Sequence, residues 1–201
     1  MRALVLGSNG YLGRHMVKEL LEAGHWVACC GKADTSIDSH SNYTTIDIAN
    51  IDTLEKIDMK VDCLCVFSAR TGTSNGFDDY EDFIKVNEIG LLNVIHQYRA
   101  QGSNARLIFP STRLVYKGQE STELTEDSEK EAKTLYAQNK LSCENYLDMC
   151  ALNYGLPYTV FRICVPYGNT FAGGYSYGTI GFMLDRALAG KDISLFGDGV
   201  L

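Results

Sequence analysis

The sequence has no surplus of positive charge: 18 Lys and Arg stand against 25 Asp and Glu, and the net charge is −7. Nucleic acid is therefore excluded as a principal partner, because neutralising phosphates takes a concentrated cationic surface. No apolar run approaches the eighteen or so residues of a membrane span. The charged, glycine-interrupted N-terminus is not a signal peptide, so a cytoplasmic protein without membrane contact is expected. Cys-x-x-Cys pairs are missing from a chain with seven cysteines. Cys29, Cys30, Cys63, Cys65 and Cys164 fall in apolar, strand-like runs, and Cys143 and Cys150 in a helical one, as reduced thiols that act as small core hydrophobes would. The four histidines are scattered, so no metal site is expected. Repeats, low-complexity tracts and obvious linkers are absent too.

What remains is an alternation of strand and helix signals over 201 residues, 45% of them hydrophobic, enough for one substantial core. Strands are predicted at 4–6, 26–30, 43–46, 63–67, 106–109 and 158–163, with a short one at 193–196. Most are continuous apolar runs, as in a parallel sheet covered on both faces. Helices fit 11–22, 77–99, 128–153 and about 180–188, with a short one at 51–56. The pattern predicts an α/β fold with a doubly wound parallel sheet of the Rossmann, dinucleotide-binding type.

Strand one runs into "GSNGYLG", residues 7–13. In a strand-to-helix turn, Gly7 ends the strand, Gly10 lets the backbone approach a pyrophosphate at the helix N-terminus, and Gly13 lets the helix pack closely on the sheet. The spacing is G-x-x-G-x-x-G, and Arg14-His15 after Gly13 excludes a P-loop. Alone, the triple glycine is also compatible with a turn that only packs tightly, and other motifs must decide.

"YAQNK", residues 136–140, adds chemistry. Tyr136 and Lys140, four apart, share a helix face, so the ammonium can stabilise a phenolate and tune the tyrosine as a general acid or base. "PSTRLVY", residues 110–116, places the Thr112 hydroxyl at the carboxyl edge of the sheet, where open α/β folds bind ligands.

With these motifs in order, the chain resembles the extended short-chain dehydrogenases/reductases, in the nucleotide-sugar branch of the NAD-dependent epimerase/dehydratase family. "DCLCVFSA" (62–69), "VNEIGLLNVI" (86–95), "RICVPYG" (162–168) and "ALAGKDISLFGDG" (187–199) carry the resemblance along the whole chain. It implies a nicotinamide dinucleotide held by Gly7, Asn9, Gly10, Tyr11, Leu12 and Gly13, by Ser68, Ala69 and Arg70 after strand four, and by Asn87. Asp47 and Ile48 would flank the adenine. Tyr136 would exchange a proton with a sugar hydroxyl or ketone while hydride moves to or from the nicotinamide; Lys140 would hold the ribose, and Thr112 the reacting oxygen. Read without the resemblance, Asp47 is as well a carboxylate capping the turn that follows.

Dehydratases of the branch carry an acidic pair where this chain has Arg113-Leu114, and Val165 replaces the Asn that holds substrate. Dehydration is thereby disfavoured. The implied reaction is 4-ketoreduction or 4-epimerisation of a nucleotide-activated sugar; a non-catalytic dinucleotide-binding sensor or scaffold is the alternative. Strand two ends in Gly31-Lys32, with no carboxylate for the adenosine ribose and an added cation, which predicts NADP, with NAD possible. A homodimer packed through the two long helices is implied. A dinucleotide-binding domain over 1–168 would be followed by a partial substrate-binding segment, 169–201. The resemblance leads one to expect more chain after "FGDGVL", so a fragment with poor turnover is the expectation.

Overall fold

The N-terminal apolar run forms β1 (Arg2–Leu6), whose side chains alternate between two packed faces. Ala3 and Val5 join Val17, Leu20, Val27, Cys29 and Cys65 on one face. Leu4 and Leu6 join Leu64, Val66, Leu107 and Leu147 on the other. The computed structural model describes residues 1–72, 77–118, 123–171 and 178–194. Its sheet contains β2 (Trp26–Gly31), β3 (Tyr43–Thr45), β4 (Cys63–Val66), β5 (Arg106–Thr112) and β6 (Tyr158–Ile163), in the order β3-β2-β1-β4-β5-β6. Pairing is parallel from β3 through β5, and Leu6 lies between Cys30 and Val66. The chain winds outward from β1 to β3 and then restarts at β4, so the sheet reverses direction between β1 and β4. Ligands of such folds bind at that switch point, outside the carboxyl ends of the strands.

Helix α1 (Tyr11–Glu22) covers the first face with Val17 and Leu20. The short α2 (Ile51–Leu54) is capped by Asn50, which accepts from the Asp52 amide. The helix predicted over 77–99 is in three pieces: α3 (Tyr80–Phe83), a π-helical turn (Ile84–Ile89) and α4 (Gly90–Ala100). The π turn carries the buried Asn87. The helix predicted over 128–153 begins only at Leu135, as α5 (Leu135–Tyr154), because Thr134 Oγ1 accepts the Ala137 amide and caps it there. Before that cap the chain is extended, and Lys130 bridges to Tyr116. Helices α4 and α5 cover the second face with Leu91, Val94, Ile95, Cys143, Leu147 and Cys150.

The chain divides into two compact units, Met1–Arg162 and Ile163–Leu201, where the sequence pattern had placed the change after residue 168. Within the second, α6 (Gly178–Leu188) ends with Gly190 in the left-handed region, at φ 63°. Ile193 and Ser194 lie outside any strand, contrary to the strand predicted at 193–196; the rest of that segment lies outside the described residues, as does most of the Gly- and Tyr-rich stretch after Asn169. Among the described residues no helix is long and apolar enough to cross a membrane.

Candidate functional site

The glycine turn joins β1 to α1 with three different demands. Gly7 is left-handed at φ 86°, and a β-carbon on it would lie 2.5 Å from the Ser68 amide nitrogen. A β-carbon on Gly13 would meet the Gly7 carbonyl oxygen at 2.1 Å. Packing of strand, turn and helix therefore explains these two by itself. Gly10 differs: it is exposed, it is the N-cap of α1, and no side chain caps that helix end. First-turn amides of α1 thus face the switch point without a capping side chain, which is how helix N-termini receive phosphate.

Asn9 ties this turn to the loop after β2. Its Nδ2 donates to the Thr35 carbonyl at 2.9 Å, and its Oδ1 accepts from the Ile37 amide at 3.0 Å. Arg14 Nε reaches Asp38 Oδ2 at 2.8 Å, and that hydrogen bond, ahead of the burial that opposes it, holds the Asp38 carboxyl below its usual range. Tyr11 and Gly13 are buried and Leu12 half-buried. At the end of β2, Gly31 leaves room for the Tyr43 hydroxyl, 2.9 Å from where a β-carbon would be. Lys32 Nζ lies 2.9 Å from Asp47 Oδ2. Burial pushes the Asp47 carboxyl up, but Lys32 and the Ala49 amide more than offset it, so the net shift is downward. Asp47 does cap the following turn, through Ala49. Ile48 points into the core, against Gly90, and its carbonyl accepts from Asn93, which leaves Asp47 as the side chain at the edge.

Beyond β4, Ser68, Ala69 and Arg70 are half-buried. Asn87, on the π turn, accepts from the Arg70 amide at 2.8 Å and donates to the Arg70 carbonyl at 3.0 Å. It shapes the loop after β4 as a backbone-like clamp. The Arg70 guanidinium pairs with Asp79.

Across the sheet, Tyr136 and Lys140 occupy the first turns of α5, which packs on β5. Lys140 is fully buried; its Nζ donates to the Pro110 carbonyl at 2.7 Å and lies 4.4 Å from the Phe109 ring centroid and 5.8 Å from that of Tyr136. Burial pulls the ammonium down to about 8, against the upward pull of Cys143 and Glu144. Thr112 ends β5, buried, with Oγ1 accepting from the Leu114 amide at 3.3 Å. That contact uses the hydroxyl as acceptor, so its proton can be donated to a ligand.

Three buried side chains that the sequence reading missed complete this region. Ser111 donates to Glu144, a buried carboxylate that forms an ion pair with the half-buried Arg162. Asn139 meets Asn87 and Glu88. Tyr136, Lys140 and Glu144 recur every four residues on one helix face, a spacing that would have revealed Glu144.

The model of the NAD dependent epimerase/dehydratase family matches residues 3–200. The chain belongs to that family. A UDP-N-acetyl-alpha-D-glucosaminuronate decarboxylase of Bacillus cytotoxicus is 27% identical over 214 residues, covering 98% of this chain and 64% of that protein. A UDP-glucose 4-epimerase of Lacticaseibacillus casei is 26% identical, covering 90% and 55%. The crystal structure of UDP-glucose 4-epimerase from Thermotoga maritima with UDP-glucose superposes with a TM-score of 0.85 at 26% identity, over 99% of this chain and 67% of that one. The Thermus thermophilus enzyme in complex with NAD gives 0.84 at 24%, over 96% and 64%. This epimerase/dehydratase-family chain thus spans about 64% of the first of these relatives.

Proposed function

We propose that the protein is a nucleotide-sugar oxidoreductase or 4-epimerase that binds NAD and uses Tyr136, Lys140 and Thr112. The observation that carries this reading is the buried Lys140 ammonium, one helical turn from Tyr136 and bonded to the strand that ends in Thr112. Relatives named for UDP-sugars and NAD support the substrate and cofactor classes.

The residues at the switch point suit a dinucleotide. Gly10 leaves the uncapped α1 terminus open for a pyrophosphate, and Asp47, paired with Lys32, would flank the adenine. NADP was expected on the strength of Lys32 as an available cation, but Lys32 is paired with Asp47, whose carboxylate would repel a 2′-phosphate. We therefore assign NAD. When bound, the dinucleotide supplies the acceptor and donor of hydride at one sugar carbon.

The protein's own part is proton transfer and positioning. Tyr136 removes the proton of the sugar hydroxyl as its carbon is oxidised and returns it on reduction. Lys140 holds a positive charge beside the Tyr136 ring and favours the phenolate. The Thr112 hydroxyl donates to the reacting oxygen. Arg113 and Leu114 offer no acid for eliminating water, which disfavours dehydration and supports keto reduction or epimerisation at C4. Exposed Leu92 on α4 and Met149 and Leu152 on α5 support a homodimer, to be measured by light scattering. Mass spectrometry of co-purifying small molecules tests the cofactor assignment: retained NAD supports an epimerase, and retained NADP defeats the assignment.

A further inference from the structure

Helix α5 grips two consecutive residues of β5 from successive turns of one face. Lys140 takes the Pro110 carbonyl at 2.7 Å, and Glu144 takes the Ser111 hydroxyl at 2.5 Å. The next residue is Thr112. Both oxygens of Glu144 also receive Arg162 of β6, whose Nη2 lies 2.7 Å from Oε2 and whose Nε lies 3.1 and 3.2 Å from the two oxygens. The same guanidinium donates through Nη1 to the Tyr116 hydroxyl at 2.7 Å and the Glu126 carbonyl at 2.8 Å. Thr112 is therefore flanked by a residue held by Glu144 and by another held by Arg162. We infer that the Glu144–Arg162 pair is a positioning device for the reacting end of β5, setting Thr112 in register with Tyr136 and Lys140; this rests on the catalytic reading above.

Stability alone does not account for such a pair. Desolvating two charges consumes most of what their attraction returns, and apolar side chains of similar volume would join α5 to the sheet as well. They would not fix a hydroxyl, a phenol and a carbonyl from three segments at once. The carboxylate also has an electrostatic consequence. The groups facing the Lys140 ammonium are Tyr136, Cys143 and Glu144 on its own helix and Phe109 and Pro110 on β5. Burial pushes the Cys143 thiol up to about 12, so it is neutral at physiological pH, and Glu88 is turned to Asn139 and Tyr146. Glu144 is thus the carboxylate that helps Lys140 keep its proton.

Glu144→Gln keeps an acceptor for Ser111 and removes the charge, whereas Ser111→Ala removes the hydroxyl and keeps the ion pair. Amide hydrogen exchange over residues 111–116, with β1 as internal reference, and side-chain NMR titration of Lys140 read the two effects without cofactor or substrate. Both variants are expected to speed exchange at 112–116 on the order of tenfold relative to β1. Only Glu144→Gln is expected to lower the Lys140 midpoint, by on the order of one pH unit. Unchanged exchange at 112–116, or an acceleration shared equally by β1, overturns the inference; so does a Lys140 midpoint indifferent to Glu144→Gln. If Glu144→Gln does not fold, Ser111→Ala decides by exchange alone. Turnover in Tyr136→Phe separates this inference from the reading beneath it: full activity there defeats the catalytic assignment, while uniform exchange defeats only the positioning device.

Discussion

Lys140 Nζ donates to the carbonyl oxygen of Pro110 at 2.7 Å from a fully buried position, on top of the Phe109 ring. A buried ammonium needs such partners, because its desolvation is costly. A surface lysine at the same helical spacing would need none of them. The burial is what distinguishes this Tyr-x-x-x-Lys from the many that line solvated helix faces.

The burial makes a pH prediction with a definite sign. In the unfolded chain the lysine keeps its proton to about its ordinary value of 10.5, whereas burial brings it down to about 8 in the folded protein. Between those values the unfolded state binds more protons, so the Lys140 contribution to stability rises with pH across that window. Below pH 8 the full penalty applies, roughly 3 kcal/mol. The stability of Lys140→Met relative to the parent should therefore be highest at pH 7 and below and should fall by roughly 3 kcal/mol by about pH 11. Urea unfolding of both proteins across this range checks it; a relative stability that grows with pH would contradict the burial argument.

The glycine turn separates packing from ligand access. Gly13→Ala puts a methyl carbon 2.1 Å from the Gly7 carbonyl, with only backbone to give way. A loss on the order of 3 kcal/mol, or roughly 10 °C in Tm, is expected even in the absence of any dinucleotide. Gly10→Ala places its methyl 3.2 Å from that same oxygen at an exposed helix N-cap, so its Tm should fall by much less than that of Gly13→Ala. Its NAD affinity should fall about tenfold, because close backbone approach is lost. Thermal melting and calorimetric titration with NAD read the two effects separately, and equal melting points for Gly13→Ala and the parent would refute the packing account.

Much of this was legible in the sequence, and the reasons are local. Continuous apolar runs marked the strands, because both faces of a parallel sheet are covered. The glycine spacing marked the turn because Gly7 and Gly13 have no room for a side chain. The π turn at Ile84–Ile89 was invisible because its residues keep a helical apolar pattern, while the extra residue per turn depends on Asn87 finding the Arg70 backbone across the loop. The late start of α5 was set by the Thr134 cap, a residue the periodicity passed over. Lys32 suggested a phosphate-binding cation because its partner, Asp47, comes fifteen residues later on the neighbouring strand's exit. Ser111 was missed because it looks ordinary by itself and only the fold brings it to Glu144, which the four-residue recurrence after Tyr136 and Lys140 marks.

The Lys32–Asp47 pair also governs cofactor choice in the proposed function. Lys32 is largely exposed, so the pair contributes little to folding and can be altered without unfolding the protein. With Asp47 at the adenosine end, as proposed, NAD should bind about tenfold more tightly than NADP. Asp47→Asn removes the repulsion and releases Lys32, and should narrow the gap by on the order of tenfold. Titrating both dinucleotides into both proteins measures the ratio. NADP as the tighter ligand of the parent protein would restore the cation reading of Lys32.

The catalytic assignment has its own test in Tyr136→Phe. Tyr136 is half-buried in the opening turn of α5, which is held by the Thr134 cap and by the buried Lys140 and Cys143 below it, so removing one hydroxyl leaves the fold and the glycine turn intact. NAD affinity should stay within about twofold, since the phenol makes no part of the α1 terminus proposed to receive the pyrophosphate. In a protein of the relatives' full length, turnover should fall by a factor on the order of 10² or more, because the proposed general acid and base is gone. The loss should appear in kcat, as expected for an interaction made in the transition state. Lys140→Met should also slow turnover, through the missing charge beside the ring. Assaying interconversion of UDP-hexoses by the parent and both variants, with NAD titrations alongside, makes the comparison: a Tyr136→Phe protein that turns over at the parent rate would remove Tyr136 from the chemistry and leave Lys140 as a buried lysine with a structural task.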